Sequence, residues 1–208
     1  MSERAPIIGL LGAGNMASAM VSGWVRADAA MAERILVTDR GSGRAAALAE
    51  RLGVRQVEAN ADLVREADII VLCVKPIDVE RVLREVSDLI TPKKMVASVA
   101  AGVGTATLET ILDVDAPVFR FMPNVGVRVG AGTLAFSTGR FTNTAAEEAV
   151  LACFSLLGEV VPLEERLFDA ATALSGSARI QPSTIAVAML PAPMMPRVVN
   201  GSLNVQGS

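Results

Sequence analysis

The sequence predicts an α/β fold built on a doubly wound, mainly parallel sheet, and three observations predict it. A short apolar run at residues 7–11 breaks at Gly12-Ala13-Gly14 before helical spacing begins through Ser22, Trp24 and Val25, so strand, tight turn and helix follow directly. Residues 69–74, Ile-Ile-Val-Leu-Cys-Val, are apolar throughout, as expected of a central strand covered on both faces. Strand-like and helix-like stretches then alternate as far as residue 162, which implies a parallel sheet with right-handed crossovers and helices on both faces.

Each element has its own signal. In the first turn, Gly12 permits the tight bend, Gly14 lets a pyrophosphate approach the backbone, and the small Ala17 lets the helix pack on the strand. Unpaired N–H groups at that helix start, with the helix dipole behind them, make an anion site. Residues 35–39 read as a second strand, followed by Arg40-Gly41-Ser42-Gly43 and a helix over 44–52. Its end faces an adenosine ribose in such a fold. Asp39 there favours NAD by accepting from a 2′-OH, whereas Arg40 and Ser42 favour NADP by holding a 2′-phosphate; an Asx-type turn with a solvated arginine is the bland alternative.

A short helical piece starts at Asn60, and the strand over 69–74 ends in Lys75-Pro76, where Pro76 keeps Lys75 out of helical geometry. Asp78 is expected to cap the next helix, which carries Val79, Val82, Leu83 and Val86. Residues 95–99 form a strand leading into the small-residue loop Ala100-Ala101-Gly102-Val103-Gly104, with Thr105 or Thr107 as the expected cap of a helix through Leu108 and Leu112. A strand over 117–121 ends in Met122-Pro123-Asn124, and one over 133–137 follows. Thr144 opens the last helix with Glu147 at a capping-box position, and residues 159–162 are a last short strand.

Composition narrows the function. The net charge of −3 supplies no basic field for nucleic acid. The sequence has neither histidine nor tyrosine, which removes the usual proton donors of alcohol and hydroxy-acid dehydrogenases and excludes a Ser-His-Asp triad. Cys73 and Cys153 lie in apolar runs and read as small core residues, so zinc chemistry is not expected. Residues 7–11 are too short for a signal peptide, and the apolar run 185–190 is broken by Pro191, Pro193 and Pro196; a cytoplasmic protein is the expectation.

Five stretches taken together resemble the pyrroline-5-carboxylate reductases in order and spacing. They are Gly12-Ala13-Gly14-Asn15-Met16, Val74-Lys75-Pro76, Ala100-Ala101-Gly102-Val103, Arg120-Phe121-Met122-Pro123-Asn124, and residues 168–177, which end in Ser175-Gly176-Ser177. The resemblance implies a Rossmann-like domain, NADP(H) or NAD(H) as cofactor, and reduction of the imine Δ1-pyrroline-5-carboxylate to L-proline. It assigns Gly12, Ala13, Gly14, Asn15 and Met16 to the pyrophosphate, and Asp39, Arg40, Ser42 and Asn60 to the adenosine ribose end. Val74, Lys75, Pro76, Ala101 and Gly102 then line the nicotinamide side, and Met122, Pro123 and Asn124 close the substrate site. No side-chain acid is assigned, because an iminium carbon accepts hydride without one; positioning is the protein's contribution.

The resemblance stops after Ser177. In the family, Gly-Pro-Ala and a long helix open an all-helical second domain that forms the dimer, but here Ala178-Arg179-Ile180-Gln181-Pro182 follows, with further prolines at 191, 193 and 196. The expected organisation is a dinucleotide-binding domain at 1–163, the start of a connection at 164–177, and a divergent, irregular tail at 178–208 that is replaced or frame-shifted. The alternative to a reductase is a catalytically impaired NADP(H)-binding module lacking the substrate and dimer domain.

Overall fold

In the computed structural model, which describes residues 5–168 and residue 171, eight strands form one sheet in the order β3-β2-β1-β4-β5-β6-β7-β8. The strands are β1 (Ile8–Leu11), β2 (Ile35–Thr38), β3 (Arg55–Gln56), β4 (Ile69–Leu72), β5 (Met95–Ser98), β6 (Val118–Pro123), β7 (Gly132–Thr138) and β8 (Gly158–Pro162). The helices are α1 (Asn15–Ala27), α2 (Arg44–Leu52), α3 (Asn60–Glu66), α4 (Pro76–Val86), α5 (Thr105–Leu112) and α6 (Thr144–Phe154). Every neighbouring pair of strands is parallel except β6 and β7, which run antiparallel. That exception has a local cause, since only a 3₁₀ segment at Val125–Val129 joins β6 to β7 and leaves no room for a helical crossover.

The sheet is covered on both faces because its strands are apolar on both. Ile8 and Leu10 of β1 pack with Met20, Val21 and Trp24 of α1 and with Phe154 of α6, whereas Leu11 packs on the other face with Leu63 of α3, Val82 of α4 and Leu108 of α5. The alternation of side chains along each strand sorts them between two cores. Trp24 is fully buried yet satisfied, its indole N–H donating to the Cys153 carbonyl at 2.8 Å while its ring meets Phe154 edge-on.

Three helix starts differ from the sequence expectation. Helix α4 begins at Pro76, three residues earlier than an Asp78 cap implies, because proline suits the first helical position and its missing N–H costs nothing there. Helix α5 starts at Thr105 behind Gly104, and neither Thr105 nor Thr107 caps it. Helix α6 is capped by Asn143, whose Oδ1 accepts from Ala146 N at 2.9 Å, so Glu147 lies one position past the capping-box site.

Internal contacts divide the chain into 1–168 and 169–208, and the elements above all belong to the first unit. The expected irregular tail at 178–208 lies outside the described residues. Among the described residues, no helix is long and apolar enough to cross a membrane.

Candidate functional site

The strand order reverses between β1 and β4, since β1 leads out to β2 on one side and the chain returns to β4 on the other. A crevice must open at the carboxyl ends of those two strands. It does: a cleft of about 460 Å³ is lined there by Ala13, Gly14, Asn15, Met16, Arg40, Ser42, Arg44, Cys73, Val74, Lys75 and Asp78.

Its floor is the turn between β1 and α1. Gly12 turns with φ +102°, and a side chain there would meet the Cys73 carbonyl at 2.9 Å, so both the turn and the neighbouring strand require glycine. Gly14 precedes α1 with extended backbone and no side-chain cap, and a Cβ there would find only the Cys73 oxygen at 3.9 Å. The start of a thirteen-residue helix therefore faces open space with its first N–H groups uncapped and no acidic residue in its first turn. This is the electrostatics of an anion site, and a pyrophosphate fits it.

One wall is the loop between β2 and α2, organised by Asp39. Its Oδ1 accepts from the backbone N–H of Gly41 (2.8 Å) and Ser42 (3.2 Å); its Oδ2 accepts from the Ser42 hydroxyl (2.7 Å) and Ala45 N (2.9 Å). Those four bonds use the roughly four lone-pair sites of a carboxylate. Burial alone would raise the Asp39 carboxyl, but the hydrogen bonds from Ala45, Ser42, Gly41 and Arg44 outweigh it and hold the group below the ordinary carboxylate value. Arg40 reaches across the cleft to Asp78 Oδ1 at 3.0 Å. Arg44 opens α2 and has no ion-pair or hydrogen-bond partner for its side chain among the described residues.

The opposite wall is the end of β4. Lys75 has extended backbone (φ −64°, ψ 148°) ahead of Pro76, so the chain passes from strand to helix in three residues and leaves the Lys75 side chain exposed at the cleft. Burial pushes the Cys73 thiol up to about 12, although the residue keeps some exposure where it lines the cleft, so it offers no nucleophile at neutral pH. Among the described residues no cluster of carboxylates and thiols is placed to hold a metal ion.

Eight of the sequence-selected residues thus share one cleft: Ala13, Gly14, Asn15, Met16, Arg40, Ser42, Val74 and Lys75. Gly12 and Pro76 shape it from behind as turn and helix start, and Asp39 braces its wall. Asn60 is outside its lining, with its Oδ1 accepting from the Thr38 hydroxyl at 2.9 Å and its Nδ2 donating to Glu85 at 3.1 Å. Ala101, Gly102, Met122, Pro123 and Asn124 also lie outside the lining, but β4, β5 and β6 are parallel neighbours, so these residues occupy the same carboxyl edge further along. Asn124 Oδ1 is taken by Gly126 N (3.0 Å) and Thr133 N (3.3 Å), which leaves its amide Nδ2 without a hydrogen-bond partner among the described residues. Sequence reasoning passed over Arg44, although its place directly after Arg40-Gly41-Ser42-Gly43 was a legible signal.

Fold and cleft together define a Rossmann-type dinucleotide-binding domain. A family model described as NADP oxidoreductase, coenzyme F420-dependent, matches residues 7–102. The chain is 38% identical over 170 residues to a pyrroline-5-carboxylate reductase of Methanosarcina acetivorans, covering 82% of this chain and 63% of that protein. It is 34% identical over 173 residues to the enzyme of the same name from Pseudomonas aeruginosa, covering 83% and 63%. A solved pyrroline-5-carboxylate reductase from Coxiella burnetii superposes with a TM-score of 0.77 at 29% identity, over 89% of this chain and 68% of that one. Over its matched length the chain is similar to the pyrroline-5-carboxylate reductases. It spans 58–64% of the length of the curated relatives it matches.

Proposed function

We propose that this chain is the cofactor-binding part of a pyrroline-5-carboxylate reductase, holding NADP(H) along the carboxyl edge of its sheet for the reduction of Δ1-pyrroline-5-carboxylate to L-proline. The observation that carries the reading is the cleft at the strand-order reversal, where an uncapped helix start and three cationic side chains meet in a chain similar to these reductases. When bound, the reduced nicotinamide supplies the hydride. The residues of the chain bind and orient: the N–H groups from Gly14 to Met16 take the pyrophosphate, Val74, Lys75, Ala101 and Gly102 lie along the nicotinamide side, and Met122, Pro123 and Asn124 meet the substrate ring.

The phosphorylated cofactor is the better fit. With its lone pairs used inside its own loop, Asp39 has none left for a ribose 2′-OH, whereas Arg44 is unpaired and Arg40 is held only by an exposed bridge to Asp78. We read residues 1–163 as the dinucleotide-binding domain, 164–177 as the connection and 178–208 as a divergent tail. The reading also carries a cytoplasmic location, whereas the homo-oligomer of the family rests on a helical domain whose pattern residues 178–208 do not follow.

The test is NADPH oxidation at saturating pyrroline-5-carboxylate by the full chain, its intact mass confirmed. Turnover well above a blank without enzyme supports the reductase reading. NADPH binding without turnover favours a second reading, a cofactor-binding module without a complete substrate site, which rests on the departure from the family pattern after Ser177.

A further inference from the structure

We propose that Glu165, sixty residues beyond the loop it holds, is a positioning residue for the nicotinamide end of the cofactor, acting through Thr105 on the loop at 100–104. The proposal rests on the dinucleotide reading above. Helix α5 has no cap of its own: Gly104 precedes it, and its first turn carries no acidic residue. The missing cap comes from the 3₁₀ turn Glu165–Leu167 after β8, where Glu165 Oε1 accepts from Thr105 N at 2.8 Å and Oε2 from the Thr105 hydroxyl at 2.5 Å. The carboxylate also lies 3.1 Å from where a Cβ on Gly104 would stand, so it sits directly beside the end of the loop.

Glu165 is itself held in place. Arg120 Nη1 donates to its Oε1 at 3.2 Å, and the Arg120 residue is only 6% exposed, with its guanidinium carbon 4.3 Å from the centre of the Phe168 ring. Arg120 pairs in register with Ser98, whose Oγ accepts from Ala100 N at 3.2 Å. The loop is thus fixed at its start by Ser98 and at its end by Glu165, with Gly102 turning between them at φ +74°. A serine or aspartate at position 104 would cap α5 locally without burying a charged pair, and ion pairs of this kind are weak sources of stability. What the long-range cap adds is a fixed position for the loop beside the end of β4, the edge where the nicotinamide is proposed to lie.

Two ligands separate positioning from stability: NADPH, and 2′,5′-ADP, which lacks the nicotinamide. Titrated into the full chain, Glu165→Ala raises the Kd for NADPH about tenfold and leaves that for 2′,5′-ADP within about twofold of wild type. Thr105→Val, which keeps the backbone donor and removes the hydroxyl, shifts NADPH binding in the same direction by a smaller factor, and Glu165→Gln falls between it and Glu165→Ala. The valine variant carries the test if Glu165→Ala does not fold. Parallel weakening of both ligands, or no change in either, overturns the positioning role. A wild-type chain that binds neither ligand overturns the dinucleotide reading itself.

Discussion

At the scale of single residues, the loop after β2 assigns different work to two neighbouring charges. Asp39 is the residue a sequence reader selects as the ribose acceptor, yet its carboxylate closes the loop and caps the start of α2 through Ala45 N. That arrangement could not be read from the sequence, because an Asx-type turn and a ribose contact ask for the same side chain at the same place. Arg44 stands unpaired at the cleft, so its guanidinium is available to an anion there. Arg44→Ala is expected to weaken NADPH binding by about 1 kcal/mol, roughly fivefold in Kd, and to leave NADH binding unchanged. Fluorescence titration with each nucleotide measures this, and equal losses for both would remove Arg44 from the 2′-phosphate site. Cys73 makes a complementary case. With its thiol pushed up to about 12, it is expected to resist thiol-directed alkylation at pH 8 in the native chain and to react only on unfolding.

Secondary-structure elements were legible in kind and imprecise at their ends. Apolar periodicity is a property of whole segments and survives any choice of cap, which is why, among the described residues, all six helices and every strand but the short, exposed β3 lie in or beside stretches the pattern marks. Caps are single-residue events. Asn143, Thr144 and Glu147 offer competing local solutions, and the structure uses Asn143. Asn143→Ala is therefore expected to cost about 1 kcal/mol of stability by urea unfolding, with Thr144→Ala costing less. A contact between elements was hidden altogether. At Gly23, inside α1, a Cβ would stand 2.1 Å from the Val127 carbonyl and 2.7 Å from Leu157 Cδ2. Backbone cannot yield as a side chain can, so α1 and the Val125–Val129 segment would have to part. Gly23→Ala is expected to destabilise by about 3 kcal/mol despite alanine's better helix propensity, and a neutral or stabilising result would contradict this packing.

For the molecule as a whole, the doubly wound parallel sheet follows from alternating strand and helix segments and from strands apolar on both faces, so a cleft at its carboxyl edge was legible before any contact was known, although the strand order that reverses between β1 and β4 was not. The bracing of its edges was not, because Glu165, Thr105 and Arg120 are brought together only by the completed sheet. The same bracing sets how the fold responds to acid. Burial would raise the Glu165 carboxyl, but hydrogen bonds from the Thr105 hydroxyl and N–H, and the bond and charge of Arg120, hold it below its ordinary value; Asp39 is lowered likewise by its own loop. A carboxyl group whose folded pKa is depressed binds its proton less readily in the native chain than in the unfolded one. Its stabilisation is complete above the unfolded values, about 3.9 for Asp and 4.3 for Glu, and is lost as pH falls from there through the lower folded values. Asp39→Asn combined with Glu165→Gln should therefore lower the melting temperature at pH 7 and have little effect near pH 2, so that the variant's melting temperature varies less with pH than the wild type's. A variant curve running parallel to wild type across the acid range would mean that neither carboxylate is held in the folded chain as described.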